Sequence, residues 1–360
     1  MQFRQEVAFN TLEKYRDDLQ PGDIALLGTL TEGGQGLATG NNGRFVGVRE
    51  NTKQTKNIVN SRPKNLFKAI QTNNITLPIK SNEDAKCYLS GKSEKEIAEL
   101  FDNLKEKYGR DIFGQGYLFR IISDDEIANV DELTEDEKKN GIDKLKPHYV
   151  PYDKGDKDGN RWYLETPFVI DWSKEAVSWL YKNSGKNGQG MPVVRNPQFY
   201  FKEGLCWSDV NTIYLKCRLK GNSIHDVKSM SLFGLTEKVP EYYIISIINS
   251  TFVSEYVNDF INNTQTFQIN DARQLPIIIP NENQLPEFKD LFDEAVKVKK
   301  LQFSNQITKE EAVKKLNLIQ EQLDKMVYKF YGLTEEEIKI IEVSIKDKNG
   351  NKNSFCNREN

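Results

Sequence analysis

Arg195-Asn-Pro-Gln-Phe-Tyr-Phe-Lys-Glu-Gly-Leu-Cys-Trp-Ser-Asp-Val-Asn-Thr-Ile-Tyr-Leu-Lys-Cys-Arg218 is the stretch on which the reading of the fold turns. It interleaves cations (Arg195, Lys202, Lys216, Arg218) with aromatic rings (Phe199, Tyr200, Phe201, Trp207, Tyr214) and small hydrogen-bonding side chains (Asn196, Ser208, Asn211, Thr212). From Thr212 to Leu219 the residues alternate. Ile213, Leu215, Cys217 and Leu219 fall on one face; Tyr214, Lys216 and Arg218 fall on the other. A period of two predicts a half-buried strand with its cations toward solvent. Such a face suits a polyanion, because cations neutralise phosphates and planar side chains stack on or read bases. An ordinary amphipathic strand with a solvated face gives the same pattern, and residue content alone leaves both readings open.

The rest of the chain bounds the choice. Its 360 residues suffice for two ordinary domains, or for one domain with a helical appendage. Hydrophobic residues make up 38% and charged residues 29%, enough for a real core under a strongly charged surface. The formal net charge of -3 gives no global basic excess, so any nucleic-acid contact must come from a local patch. The four cysteines (Cys87, Cys206, Cys217, Cys356) contain no CxxC. They signal neither a zinc site nor a disulfide framework and fit a reducing cytoplasm. The first residues have no apolar signal core, and no run approaches the ~20 apolar residues of a membrane helix. A soluble, cytoplasmic protein is expected.

Read in order, residues 3–19 form a short amphipathic segment that Pro21-Gly-Asp23 ends, and Ile24 to Leu30 is of strand type. Glu32 to Val48 holds glycines at 33, 34, 36, 40, 43 and 47, a loop able to adopt positive φ. It is either a hairpin turn or a loop whose amides approach a phosphate; it lacks the GxxxxGK[ST] and GxGxxG patterns. Residues 50–80 are the most basic window, with Lys53, Lys56, Arg62, Lys64 and Lys68 against one acid, Glu50. Ser93 to Tyr108 has helical spacing, and Ser93 with Glu96 reads as a capping box. Asp111 to Ile122 is a turn leading into a strand. Ile170 to Tyr181 is a helix with Trp172 or Ser173 near its cap and Val177, Leu180 and Tyr181 inward. Val239 to Phe260 reads as one helix, and Ile277-Ile-Ile-Pro280 as a short buried strand. From Pro286 to Ile345 the pattern is helical and charged. Leu291, Phe292, Ala295, Val296 and Val298 make one stripe; Leu316, Ile319, Leu323, Met326, Val327 and Phe330 make another. Residues 346–360 read as a disordered tail.

Several chemistries find no support. The two histidines, His148 and His225, belong to no HExxH or triad pattern, and there is no GxSxG. Asp153, Asp156 and Asp158 lack EF-hand spacing and its closing glutamate. No metal site is expected. Two fragments mimic an adenine methyltransferase. Phe113-Gly-Gln-Gly116 leads into a strand instead of following one, against the layout of a cofactor loop. Asn196-Pro-Gln-Phe199 has Gln198 where the motif that grips a flipped adenine has a second proline.

The order of motifs resembles the C-terminal target-recognition (specificity) domain of large N6-adenine DNA methyltransferases. These are the type IIG restriction-modification enzymes and the methylases of phage-exclusion systems. The resemblance opens with Gln35-Gly-Leu-Ala-Thr-Gly-Asn-Asn-Gly-Arg-Phe45. It continues through Phe113-Gly-Gln-Gly-Tyr-Leu-Phe119, Lys154-Gly-Asp-Lys-Asp-Gly-Asn-Arg-Trp-Tyr163 and Ile170-Asp-Trp172. Arg195-Asn196 with Tyr200-Phe-Lys-Glu-Gly-Leu-Cys-Trp-Ser208 follows, then Ile247-Ile-Asn-Ser250 and Thr264-Gln-Thr-Phe-Gln-Ile-Asn-Asp-Ala-Arg-Gln-Leu-Pro276. Leu323-Asp-Lys-Met-Val-Tyr-Lys-Phe-Tyr-Gly-Leu-Thr-Glu-Glu-Glu337 resembles the helix that closes these proteins. Each segment is weak alone; in family order, over roughly residues 30 to 340, they are fairly specific. The methyltransferase domain that precedes this region in the family, with its Asn-Pro-Pro-Tyr, has no counterpart in the chain.

The resemblance implies an α+β fold: a mixed, β-rich recognition domain with inserted helices over 1–285, a sub-boundary near 145–165, and a helical region over 286–345. It implies sequence-specific recognition of double-stranded DNA for an adenine-N6 methyltransferase of a restriction-modification or phage-defence system. This chain would not be catalytic by itself and would hold no cofactor. S-adenosylmethionine is expected in the methyltransferase domain or subunit that partners it. DNA contacts are expected from Thr39, Asn41, Asn42 and Arg44 of the first loop. The central stretch supplies Arg195, Asn196, Lys202, Trp207, Ser208, Lys216 and Arg218. The late loop supplies Thr264, Gln265, Thr266 and Gln268. Arg, Asn and Gln pair two-pronged with base edges, each good pair discriminating by ~1–3 kcal/mol. For Trp207, Phe199 and Phe201 the alternative is core packing. Two rivals stay open: a protein-interaction module docking through its C-terminal helices, and a complete methyltransferase with a cryptic site.

Overall fold

A computed structural model describes residues 18–156, 159–208, 215–262, 264 and 266–356. The sequence-read helix over 3–19 lies almost wholly outside the described residues. The fold is α+β. Its strands are β1 (Ile24–Leu26), β2 (Glu32–Gly34), β3 (Val46–Arg49), β4 (Ile121–Ile122), β5 (Tyr149–Asp153), β6 (Phe168–Asp171), β7 (Gly204–Ser208), β8 (Cys217–Lys220), β9 (Ile224–His225), β10 (Ser229–Phe233) and β11 (Pro276–Ile278). The longer helices are α1 (Lys53–Asn73), α2 (Asn82–Ser90), α3 (Glu94–Tyr108), α4 (Lys174–Asn183), α5 (Glu241–Ile248), α6 (Leu285–Phe303), α7 (Lys309–Phe330) and α8 (Glu335–Cys356).

The strands build two main sheets. One has four strands in the order β2-β10-β7-β8, all pairs antiparallel. The other has five in the order β4-β3-β6-β5-β9, with β3–β4 and β5–β9 parallel. β1 and β11 form a separate antiparallel pair. The apolar face of the four-stranded sheet (Leu205, Trp207, Cys217, Met230, Leu232) packs on α5, α6 and α7 in one continuous core. The helices after Pro286 therefore share their core with the sheet instead of forming a detached appendage. A second core (Phe45, Val46, Val150, Tyr152, Ile170, Trp172, Leu180) seats α4 on the five-stranded sheet. A third joins α1, α2 and α3 to Phe113 and Phe119.

Local signals hold where they are strongest. Ser93 caps α3 through the capping box with Glu96. Ser173 caps α4, burying Val177 and Leu180, although Tyr181 is exposed instead of inward. One helix went unread and two readings need correction. The basic window 50–80 is mostly the 21-residue helix α1, which runs through Pro63. An interior proline removes one helical hydrogen bond, and this masked the element in the sequence. Asp111 to Ile122 yields only the two-residue β4. The helix read over 239–260 is broken. The Asn249 side chain turns away to bond the backbone of Cys217, accepting from its N–H at 2.8 Å and donating to its carbonyl at 2.9 Å. Ser250 then caps a new helix, Thr251–Tyr256, whose Thr251 N–H donates to Asp324 at 2.7 Å. Finally, α8 runs from Glu335 to Cys356.

Candidate nucleic-acid interface

The three sequence-distant segments meet along one extended stretch, Gly33 to Gly40. Side chains and backbone from separate elements seize its carbonyls in turn. Arg273 Nη2, beyond the late loop, donates to Gly33 O at 3.2 Å. Asn196 Nδ2, in the central stretch, donates to Gln35 O at 2.9 Å. The Tyr152 hydroxyl of β5 reaches Leu37 O at 2.9 Å. The Val193 N–H donates to Ala38 O at 2.8 Å, and Arg110 Nη1 to Gly40 O at 3.1 Å. The amides of Leu37 and Ala38 donate to His225 O and Val193 O. They are spent within the protein, so they do not cradle a phosphate. The glycines serve packing: a Cβ on Gly36 would stand 1.8 Å from His225 O, and one on Gly40 2.4 Å from Met191 O.

Beyond this stretch the first loop turns into the short helix Asn42–Phe45. Thr39 is buried, and its hydroxyl donates to Asn42 Oδ1 at 2.7 Å. Asn41 and Asn42 are half-buried, Asn41 Oδ1 lying 3.4 Å from Lys105 Nζ. Arg44 is exposed, its guanidinium stacked 4.3 Å from the Trp179 ring centroid and 5.0 Å from that of Phe45. Such stacking fixes the guanidinium plane while leaving its N–H groups outward. Arg110 is clamped to Asp111 at 2.6 Å. Burial lowers the pKa of Lys105, against the pull of Asp102.

In the central stretch, Asn196 takes the left-handed conformation (φ 48°, ψ 47°) ahead of Pro197 and gives an amide hydrogen to Gln35. Arg195 is half-buried, and its buried Nη1 has no hydrogen-bond partner among the described residues. Lys202 is exposed, 5.9 Å from the Phe199 ring centroid. Lys216 is half-buried beside Gly159. In the late loop Thr264 and Thr266 are exposed, their hydroxyls 3.2 Å apart, and the Gln268 N–H donates to Asp271 at 2.8 Å. Gln265 lies outside the described residues.

The structure removes several expected contacts from the surface. Trp207 is 1% exposed, its Nε1 donating to Phe267 O at 2.8 Å, so core packing is its role. Ser208 is buried and its Oγ accepts the Asp156 N–H at 2.6 Å. Arg218 is 1% exposed, whereas Leu219, expected inward, is 38% exposed. Leu215 and Cys217 are buried in the core as expected; what failed is the solvated cationic face, because that face of β8 meets another sheet. Arg218 Nη2 sits 2.9 Å from Asp153 Oδ1 on β5. Burial works to raise the Asp153 carboxyl, but the adjacent guanidinium together with the Gly155 N–H, the Cys206 thiol and Lys220 outweighs it and holds the pKa below its ordinary value. The Cys206 thiol donates to Asp153 Oδ2 at 3.3 Å, and burial pushes its pKa well up, leaving it protonated. Lys220 Nζ donates to the carbonyls of Lys202, Gly221 and Ser223 at 2.8–3.0 Å, and burial lowers its pKa to about 8. His225 is fully buried between the rings of Tyr200 and Phe233, and burial pushes its pKa down to about 3. This buried polar layer joins the two sheets. Its members Asp153, Lys220 and His225 went unread, because alternation alone assigns charged residues to solvent.

Among the described residues no cluster of His, Cys, Asp and Glu has the arrangement to hold a metal ion. Among them, too, no helix is long and apolar enough to cross a membrane. Comparison with protein-family models and with curated proteins finds no match to this chain.

Proposed function

We propose that this chain is a sequence-specific double-stranded DNA recognition module of an N6-adenine DNA methyltransferase in restriction-modification or phage defence. Methyl transfer would come from a separate domain or subunit that binds S-adenosylmethionine. The observation that carries the reading is the convergence on Gly33–Gly40. The first loop and the Arg195-Asn196 segment, far apart in the chain, touch directly there, and Arg273, just after the late loop, holds the same stretch. Exposed Arg44, exposed Lys202 and the half-buried Arg195 supply cations on a chain of net charge -3. Phosphate contacts of this kind set affinity and register, and neighbouring polar side chains then read bases. Exposed apolar residues on the C-terminal helices (Val313 and Leu318 on α7, Ile340 and Val343 on α8) suit docking of the methyltransferase partner.

The test is duplex DNA binding by the full chain across a salt series, with selection from randomised sequences. The expected result is a steep fall of affinity with salt and an enriched short motif. The triple variant Arg44→Ala, Arg195→Ala, Lys202→Ala should lose most of that affinity while melting like the parent. Absence of duplex binding at 50 mM salt, or a triple variant that binds as the parent does, would refute the reading.

A further inference from the structure

Helix α1 breaks a rule that its neighbours keep. Helix N-termini favour carboxylates, because the macrodipole places partial positive charge there. The other numbered helices each carry an acid in the first turn. In α1 the first turn carries no acid and instead holds Lys53 and Lys56. No Asp or Glu occurs anywhere from residue 51 to 82. At 3.6 residues per turn, Lys53, Lys56, Asn57, Asn60, Lys64 and Lys68 fall on one side, and all are exposed. Ile58, Arg62, Leu66, Ala69 and Ile70 fall on the other, and all are buried. The helix's only arginine faces inward, where Arg62 binds Glu94 and the Phe119 carbonyl. Among the described residues, none of the four lysines has a carboxylate within ion-pair distance.

Like charges at i,i+3 and i,i+4, and cations at an N-terminus, each cost a few tenths of a kcal/mol or more. No carboxylate among the described residues offsets that cost on the lysine side, where a partner of opposite charge would. The surface is also contiguous with the candidate interface. Tyr117 touches both: its hydroxyl lies 3.0 Å from Ser61 Oγ on α1, and its carbonyl borders Gly43 in the first loop.

We infer that α1 is a second DNA-contacting element, whose lysine stripe grips the phosphate backbone of duplex DNA beside the loop site. This rests on the DNA-recognition reading above. From Lys53 to Lys68 the stripe spans about 22 Å, several phosphates of a duplex strand.

The experiment uses the full chain and ~30-bp duplexes of mixed sequence over 50–200 mM salt. The variant is Lys53→Gln, Lys56→Gln, Lys64→Gln, Lys68→Gln; its control has arginine at the same four positions. Counterion release predicts that the glutamine variant loses about 3–4 from the slope of log affinity against log salt. Over that salt range the parent should then weaken ~100-fold more than the variant. The arginine control keeps the parent slope, and both melt within a few degrees of the parent because the positions are exposed. An unchanged slope in the glutamine variant, with the parent binding steeply, overturns the role of α1 and leaves the loop reading standing. A parent that binds no duplex at 50 mM salt overturns the DNA reading itself.

Discussion

Arg218 offers the sharpest test, because sequence pattern and structure assign it opposite roles. As an outward cation on an amphipathic strand it would touch phosphate. In the structure its side chain and that of Asp153 are 2% and 6% exposed, with Nη2 and Oδ1 2.9 Å apart. Arg218→Met keeps most of the apolar stem and removes the charge. Among the described residues Asp153 then keeps the Gly155 N–H at 3.1 Å and the Cys206 thiol at 3.3 Å, too little for a buried carboxylate. Breaking one side of a buried pair costs about 3–5 kcal/mol, whereas replacing both partners by packed apolar groups is often near neutral. Arg218→Met should therefore lower the urea midpoint by on the order of 1 M or more, given typical m values. The double variant Asp153→Leu, Arg218→Met should recover most of that loss. A double-mutant cycle by urea unfolding measures the coupling, expected above about 2 kcal/mol. The refolded double variant should keep the parent salt slope for duplex DNA. If Arg218→Met unfolds at the parent midpoint and its salt slope drops by about 1, Arg218 is a phosphate contact and the buried pair is not what holds the sheets.

Three further outcomes follow from the same geometry. His225 is neutral when folded, with its pKa pushed to about 3, while the unfolded chain takes up the proton near the ordinary 6.5. Its stabilising contribution is thus complete above pH 6.5 and lost as pH falls toward 3, on the order of 4 kcal/mol in full. His225→Gln should flatten the fall of the urea midpoint between pH 6.5 and 4, and an unchanged acid limb would count against the burial argument. Asn249→Ala strands the Cys217 N–H and carbonyl, now bonded at 2.8 and 2.9 Å, and should destabilise by about 2–5 kcal/mol in thermal or urea unfolding. Gly36→Ala drives a Cβ into the His225 backbone at 1.8 Å, whereas Gly34→Ala meets only the Asn196 side-chain amide. The first should cost more than about 3 kcal/mol and the second well under half of that, so equal losses of folded yield would refute the packing role of the glycine stretch.

Much of the architecture was legible in the chain, element by element. The Ser93/Glu96 box, the Ser173 cap and the apolar stripes of α6 and α7 are local signals, and all reappear. Local signals fail where a distant group intervenes. The helix read over 239–260 breaks because Asn249 is needed 32 residues away at Cys217. Helix α1 escaped notice because its interior Pro63 and its few apolar residues mimic a loop, although Ile58, Leu66, Ala69 and Ile70 keep helical spacing.

For the candidate site the division is similar. Residue types in order brought the first loop, the central stretch and the late loop under suspicion, and the basic window 50–80 was visible as composition. By itself, then, the sequence determined the α+β class, the extents of helices such as α3 and α4, and the inward apolar residues Leu215 and Cys217 around β8. That both sides of β8 are covered was decided only in three dimensions. Alternation specifies two faces but not what covers each, and Asp153, 65 residues away, buries the cationic face as well as the apolar one. The meeting of separate segments on Gly33–Gly40 is likewise tertiary. The donors that seize those carbonyls come from a strand, loops and turns spread from Arg110 to Arg273, a proximity that sequence order does not encode.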